Sequence, residues 1–176
     1  MQAETLTTIL VIILGDIMIF AAGVNIKQFV NQFELLWTYK TTNRAPIKCE
    51  VDHLLSIKPM SITFKRSMFI RGSRCDFRIL GVFDKEHKER MTLFYKDKFQ
   101  RVENALFVAV GHSCAVFKVE SLRDWHLSYY DLRVRNSSVH ERPLEVCRTV
   151  FKGVTQGGLA HRIYNAQCQQ LIRQEK

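Results

Sequence analysis

The residues best placed to do chemistry lie between Cys114 and Cys147, where Asp131 and Arg133 stand two apart in the run Ser-Tyr-Tyr-Asp-Leu-Arg-Val-Arg. In a strand, residues two apart share a face. A carboxylate beside a guanidinium either closes an ion pair or offers one member to a charged ligand. Tyr130, Leu132 and Val134 form the other, more apolar face. Patterning alone turns that face inward and leaves Asp131 and Arg133 as a surface pair worth under about 1 kcal/mol. A strand with a helix packed outside it is apolar on both faces, so patterning leaves either placement open. Phe117, Tyr129 and Trp37 supply flat apolar surface for a ligand body or a cation–π contact. Trp37 also reads as a packing residue at the floor of the fold, and Trp125 as a residue of the mouth or of the surface.

Catalytic chemistry finds no such grouping. Gly111-His-Ser-Cys-Ala echoes a nucleophile elbow, but that motif needs a strand-to-helix turn, and here it joins strand to strand. The six histidines (53, 87, 112, 126, 140 and 161) are dispersed. None of the five cysteines forms a Cys-x-x-Cys pair, and no Cys/His spacing suits zinc. No carboxylate pair for hydrolysis and no glycine-rich phosphate loop occurs. The expectation is a protein that is not an enzyme, with no cofactor and no metal.

The elements that must position Asp131 and Arg133 are strands. Leu35–Thr42, Lys48–Ile57, Ser61–Ile70, Asp76–Phe83, Met91–Lys96 and Ala105–Val110 are β-rich runs bounded by turn residues such as Lys58-Pro59 and Arg71-Gly72-Ser73. Two more runs flank a polar reversal at Ser121 to Asp124 and make a hairpin, giving eight strands. No crossover helix separates them, so an antiparallel meander follows, and eight meandering strands close into an up-and-down barrel wide enough for one small ligand. A short helix is predicted over Asn25–Phe33, another after Pro143, and a terminal amphipathic helix over Leu159–Ile172, with Ile163, Tyr164, Leu171 and Ile172 towards the body.

Residues 1–23 read as a secretory leader: Leu6 to Leu14 is nearly all apolar, and Ala21 and Gly23 stand at −3 and −1 to a cut before Val24. A membrane anchor is the alternative, but Asp16 in mid-span is costly there. Domain organisation is then a leader over 1–23 and one domain over 24–176, secreted and free of the membrane once cleaved. Loss of Glu4 and Asp16 with no base moves the formal charge from +9 to +11. That sign favours acidic partners, glycosaminoglycans among them. The basic cluster at Lys85, His87, Lys88 and Arg90 lies between strands and carries no nucleic-acid signature, so no nucleic-acid partner is expected. Five cysteines in a secreted chain imply two disulfides and one leftover thiol, and Asn136-Ser-Ser is a glycosylation sequon.

With these pieces in place, the chain resembles the tick salivary lipocalins of the histamine-binding type. The matching residues are Trp37, Cys49-Glu-Val, Cys114-x-Val and Tyr130-Asp-Leu, then Pro143, Cys147, Phe151, Arg162, Tyr164 and Cys168. The resemblance implies a lipocalin ligand-binding domain with disulfides Cys49–Cys168 and Cys114–Cys147, leaving Cys75 free. It implies that the barrel sequesters a small host mediator, a biogenic amine such as histamine or serotonin. It also implies that Asp131 points into the cavity, and Arg133 then points there with it.

This sequence departs from that family's amine signature: position 115 is Ala where an Asp is expected, 131 is Asp rather than Glu, and 133 is Arg where an aromatic belongs. An inward Arg133 repels a cation and suits an acidic lipid mediator, its carboxylate on Arg133 and its tail along Phe117, Trp37 and Tyr129. On that reading Arg133→Trp improves amine binding. Amine binding through other acids, such as Glu120 or Asp52, stays open. A further alternative is a protein-interaction module acting on host defence proteins through its basic surface.

Overall fold

The computed structural model describes residues 23–121 and 128–173. The expected leader, apart from Gly23, lies outside these residues, as do the hairpin reversal after Ser121 and Trp125. Eight antiparallel strands follow one another round the sheet: β1 (Leu36–Thr41), β2 (Ile47–Lys58), β3 (Ser61–Ile70), β4 (Ser73–Phe83), β5 (Arg90–Tyr95), β6 (Lys98–Val108), β7 (Cys114–Ser121) and β8 (Ser128–Arg135). Strand β1 pairs with β8 on one side and β2 on the other, which closes the barrel and leaves no open edge among the eight.

Alternation decides what faces in. In β3, Ile62, Phe64, Arg66 and Met68 are buried, while Thr63 and Lys65 between them are only half-buried. Strand β4 turns Phe77 and Ile79 inward, and Gly81 stands where Met91 crosses the interior. A Cβ on Gly81 would come within 2.5 Å of the Met91 sulfur and 2.8 Å of Ile62, so any larger residue forces these side chains to shift.

The meander puts the connections at 42–46, Arg71–Gly72 and Lys96–Asp97 at one end and those at Pro59–Met60, 84–89 and 109–113 at the other. Helix α1 (Ile26–Val30) lies at the second end. Asn25 caps it, its side chain accepting from the Lys27 and Gln28 amides. The Ile26 N–H donates to the Lys88 carbonyl, and Ile26 and Phe29 are buried. Together with Leu36, Ile62, Phe64, Ile79, Phe83, Met91, Leu93, Ala115 and Phe117 they fill the barrel's lower half with an apolar core.

A second core lies outside the wall. The outward residues Trp37, Tyr39, Val51, Val116, Leu132 and Val134 meet Phe151, Tyr164 and the two disulfides. Helix α2 (Glu145–Val154) carries Cys147 to Cys114, and helix α3 (Gln167–Arg173) carries Cys168 to Cys49. Both pairings match those the resemblance implies, and Cys75 is free.

The terminal helix is shorter than its periodicity predicts. Residues 159–166 are not helical. The short strand β9 (His161–Arg162) pairs with the end of β1 on the edge opposite β8, beyond the β1–β2 pairing, and the Ile163 carbonyl accepts from the Cys49 amide at 2.8 Å. Asn165 then accepts from the Gln167 amide, and the helix begins there. Strand β6 begins seven residues before the expected start, because the inward phase of Arg101 and Glu103 is polar and hides the apolar alternation.

Candidate ligand cavity and its charged floor

Above the apolar core the barrel interior is a cavity of about 1000 Å³, reaching the end where the β1–β2 connection lies. Its walls are apolar, with Ile47, Met68, Ile70, Phe77, Ile79 and Leu93, and its polar lining includes Glu50, Arg101, Tyr95, Tyr129 and Tyr130. Thr155, Gly158 and Leu159, from the chain after α2, also reach it.

A layer of buried charge separates cavity from core. Arg133 donates from Nη1 to Glu103 Oε2 at 2.6 Å and from Nη2 to Glu103 Oε1 at 2.8 Å, and its Nη2 also reaches Asp131 Oδ2 at 3.1 Å. Arg66 forks onto Asp52 at 2.6 and 2.7 Å and extends Nη1 to Glu103 at 3.2 Å. Glu103 therefore joins two guanidiniums. Burial opposes its charge, but Arg133 and Arg66 outweigh that and hold its carboxyl well below the usual range. Burial works against Arg133 too, and Glu103 overcomes it, keeping the guanidinium charged.

Four carboxylates (Glu50, Asp52, Glu103 and Asp131) face three guanidiniums (Arg66, Arg101 and Arg133) in this layer. Arg135 and Glu34, 3.9 Å apart nearer the closed end, add one of each sign. The layer is one positive charge short. The excess is felt at Asp131, which burial pushes above its ordinary range, with Arg133 pulling the other way and Glu50 adding to the push. Glu50 is the carboxylate of the layer that faces the cavity. Glu50 accepts from the Thr38 hydroxyl at 2.8 Å, and among the described residues it has no cationic partner within ion-pair distance. Burial opposes its charge, but Arg66, Arg101 and Arg133 together keep it below the usual carboxylate range.

Backbone geometry aims Glu50. Cys49 has a left-handed φ of 56°, in a bulge where the β2–β3 register shifts between Lys48 and Val51. Cys49 reaches outward to Cys168, and Glu50, like Asp52 two residues on, faces in.

The other residues singled out in the sequence separate into three positions. Tyr129 lines the cavity and accepts from Arg101 Nη1 at 2.6 Å; burial raises its hydroxyl to about 12. Asp131 and Arg133 are buried in the charged layer, and Phe117 lies beneath it with the Arg133 guanidinium 4.4 Å from its ring centroid. With both terminal nitrogens on Glu103 and Asp131, Arg133 has no free fork for a ligand carboxylate, which removes the acidic-lipid anchor expected there. Trp37 lies on the opposite face of β1 from the cavity, 5.0 Å from Tyr164, and donates Nε1–H to Asn136 Oδ1 at 2.8 Å. It is buried between the wall and the terminal segment, because its register partners Val51 and Val134 are outward residues. Asn136 Oδ1 also accepts from Gln169 Nε2 at 2.7 Å. Of the two other acids considered, Asp52 is taken by Arg66, and Glu120 sits on the outer wall with Lys118 and Asn104.

Glu50, Arg66, Arg101 and Glu103 were not singled out by sequence reasoning. For Arg66 the signal exists, since it occupies the inward phase of β3 between Phe64 and Met68; Glu50 stands two before Asp52, and Arg101 two before Glu103, so their phases read as polar.

No protein-family model matches the chain, and no curated protein sequence matches it. Solved structures do. AM182 in its serotonin complex aligns at 17% identity over 85% of this chain and 95% of its own, with a TM-score of 0.66. H1 crustacyanin from the lobster Homarus americanus aligns at 9% over 83% and 84%, with a TM-score of 0.60. The siderocalin Ex-FABP aligns at 9% over 70% and 84%, with a TM-score of 0.55. The closed antiparallel barrel, the short N-terminal helix and the C-terminal helix are the lipocalin fold.

Proposed function

We propose that this protein is a secreted carrier that sequesters a small amphipathic amine in its barrel, with Glu50 as counter-ion to the ammonium. One observation carries the reading. The buried layer holds one carboxylate more than it has guanidiniums, and the carboxylate without a cation beside it is the one facing the cavity. A protonated amine gives Glu50 the close cationic partner that it lacks, and that pairing offsets the cost of the amine leaving water. Tyr129 and Tyr95 add aromatic surface, and the apolar wall takes the rest of the molecule. A histamine-sized amine fills a small part of about 1000 Å³, so an amine with a larger apolar body suits the cavity better. The fold shared with AM182, solved with serotonin, supports the same ligand class. Scavenging of a host mediator, cleavage of the leader and a glycan on Asn136 belong to this reading.

Calorimetric titration with histamine, serotonin and a long-chain primary amine tests it. Glu50→Gln is expected to weaken amine binding about tenfold to a hundredfold, the scale of about 1.5–3 kcal/mol for a hydrogen bond to a charged group. Equal affinity in the wild type and Glu50→Gln would sink the assignment.

A further inference from the structure

We infer that the ligand of this cavity is a zwitterionic amphiphile, whose head group carries an oxyanion beside its ammonium. This rests on the proposed role of Glu50 and adds a second anchor to it. Arg101 lines the same cavity, and no carboxylate among the described residues lies within ion-pair distance of it. One of its nitrogens donates to the Tyr129 oxygen at 2.6 Å. That oxygen is thereby used as an acceptor, so the Tyr129 proton is free to point into the cavity. Arg101 and the Tyr129 hydroxyl thus turn donors towards it. Glu50, with one oxygen on Thr38, presents only acceptors.

The two sets are close enough for Arg101 to stabilise the Glu50 charge, yet too far apart to close an ion pair. A singly charged ligand satisfies one set and covers the other without a partner, which costs affinity. An ammonium and an oxyanion in one head group satisfy both. The apolar wall of Ile47, Met68, Ile70, Phe77, Ile79 and Leu93 then takes a tail. A carboxylate or a phosphate meets the Arg101–Tyr129 donors equally well, so amino-acid and phospholipid-like head groups share the required chemistry.

Four amphiphiles of equal chain length distinguish the cases: dodecylamine, dodecanoate, 2-aminododecanoic acid and dodecylphosphocholine. By calorimetry, at least one zwitterion is expected to bind tenfold or more tighter than dodecylamine or dodecanoate, and the tighter of the two identifies the oxyanion. Arg101→Gln is expected to weaken the zwitterion at least fivefold and to spare dodecylamine, while Glu50→Gln weakens both; unchanged melting temperatures confirm that the variants are folded. Dodecylamine binding as tightly as both zwitterions, or a zwitterion indifferent to Arg101→Gln, overturns the inference. If dodecylamine still depends on Glu50 in that event, the amine reading survives alone. If no amphiphile binds, both fall.

Discussion

Arg133 and Glu103 face each other through two parallel hydrogen bonds of 2.6 and 2.8 Å, from neighbouring parts of the barrel wall and out of reach of solvent. The pair decides what can be done at position 133. Arg133→Trp, which looks from the sequence like a step towards an amine pocket, strips Glu103 and Asp131 of a buried partner. Arg133→Met is expected to destabilise the fold by about 3–5 kcal/mol, whereas replacing Arg133 and Glu103 together by apolar residues costs much less. Denaturant titration of the two variants checks this.

The acid limb of stability follows from Glu103 and Glu50. Both are held below the ordinary glutamate value of 4.5, Glu103 much further. A depressed carboxyl contributes stability that is present above its unfolded value and lost as pH falls towards the folded one. Asp131, raised, acts in the opposite sense, since protonation relieves a penalty in the folded state. The thermal midpoint should therefore hold down to about pH 5 and drop below 4.5, with Glu103→Gln lower at neutral pH and much flatter across that window.

Amine affinity should follow Glu50 in the same direction. Because its carboxyl stays ionised below the usual range, binding is expected to be level from pH 7 to about 5 and to fall only further into acid. Titration across that range in a buffer of fixed ionic strength measures it; a loss centred near pH 6 would point to a histidine instead.

Tyr129 gives a spectroscopic handle. Its hydroxyl is raised from 10.0 to about 12 by burial, with Arg101 pulling it back. Absorbance at the phenolate band should show one tyrosine ionising about two pH units late, and Tyr129→Phe should remove that step. A folded-state value above the unfolded one costs stability as pH rises from 10 towards 12, at most about 2.7 kcal/mol.

The disulfides close loops of 119 and 33 residues. On the chain-entropy estimate, removing Cys49–Cys168 costs about 4.9 kcal/mol and Cys114–Cys147 about 3.7 kcal/mol. Paired Cys→Ala variants compared by melting temperature should show the longer loop as the larger loss.

Strand positions and the barrel were legible because turn residues and period-2 alternation agree along most of the chain. Both crosslinks followed from the spacing of Cys49, Cys114, Cys147 and Cys168 in a resembling family. The charged floor was less legible, because a strand does not announce that its inward phase is polar. Arg66 stands among Ile62, Phe64, Met68 and Ile70, and that company is the clue to an interior guanidinium. Glu50 is masked by its neighbour: Cys49 reads as a crosslink, and the bulge that separates their directions is backbone geometry. Trp37 was open to both a packing and a ligand reading for a related reason. An aromatic in the first strand suits either face, and only its pairing with Val134 and Val51 assigns it to the outer one.

The Cys49–Cys168 bond ties the tail of the chain to the residue immediately before the cavity's acid. On the proposed reading, opening this tether with a thiol reductant is expected to loosen the bulge beside Glu50 and weaken amine binding, although no cysteine lines the cavity.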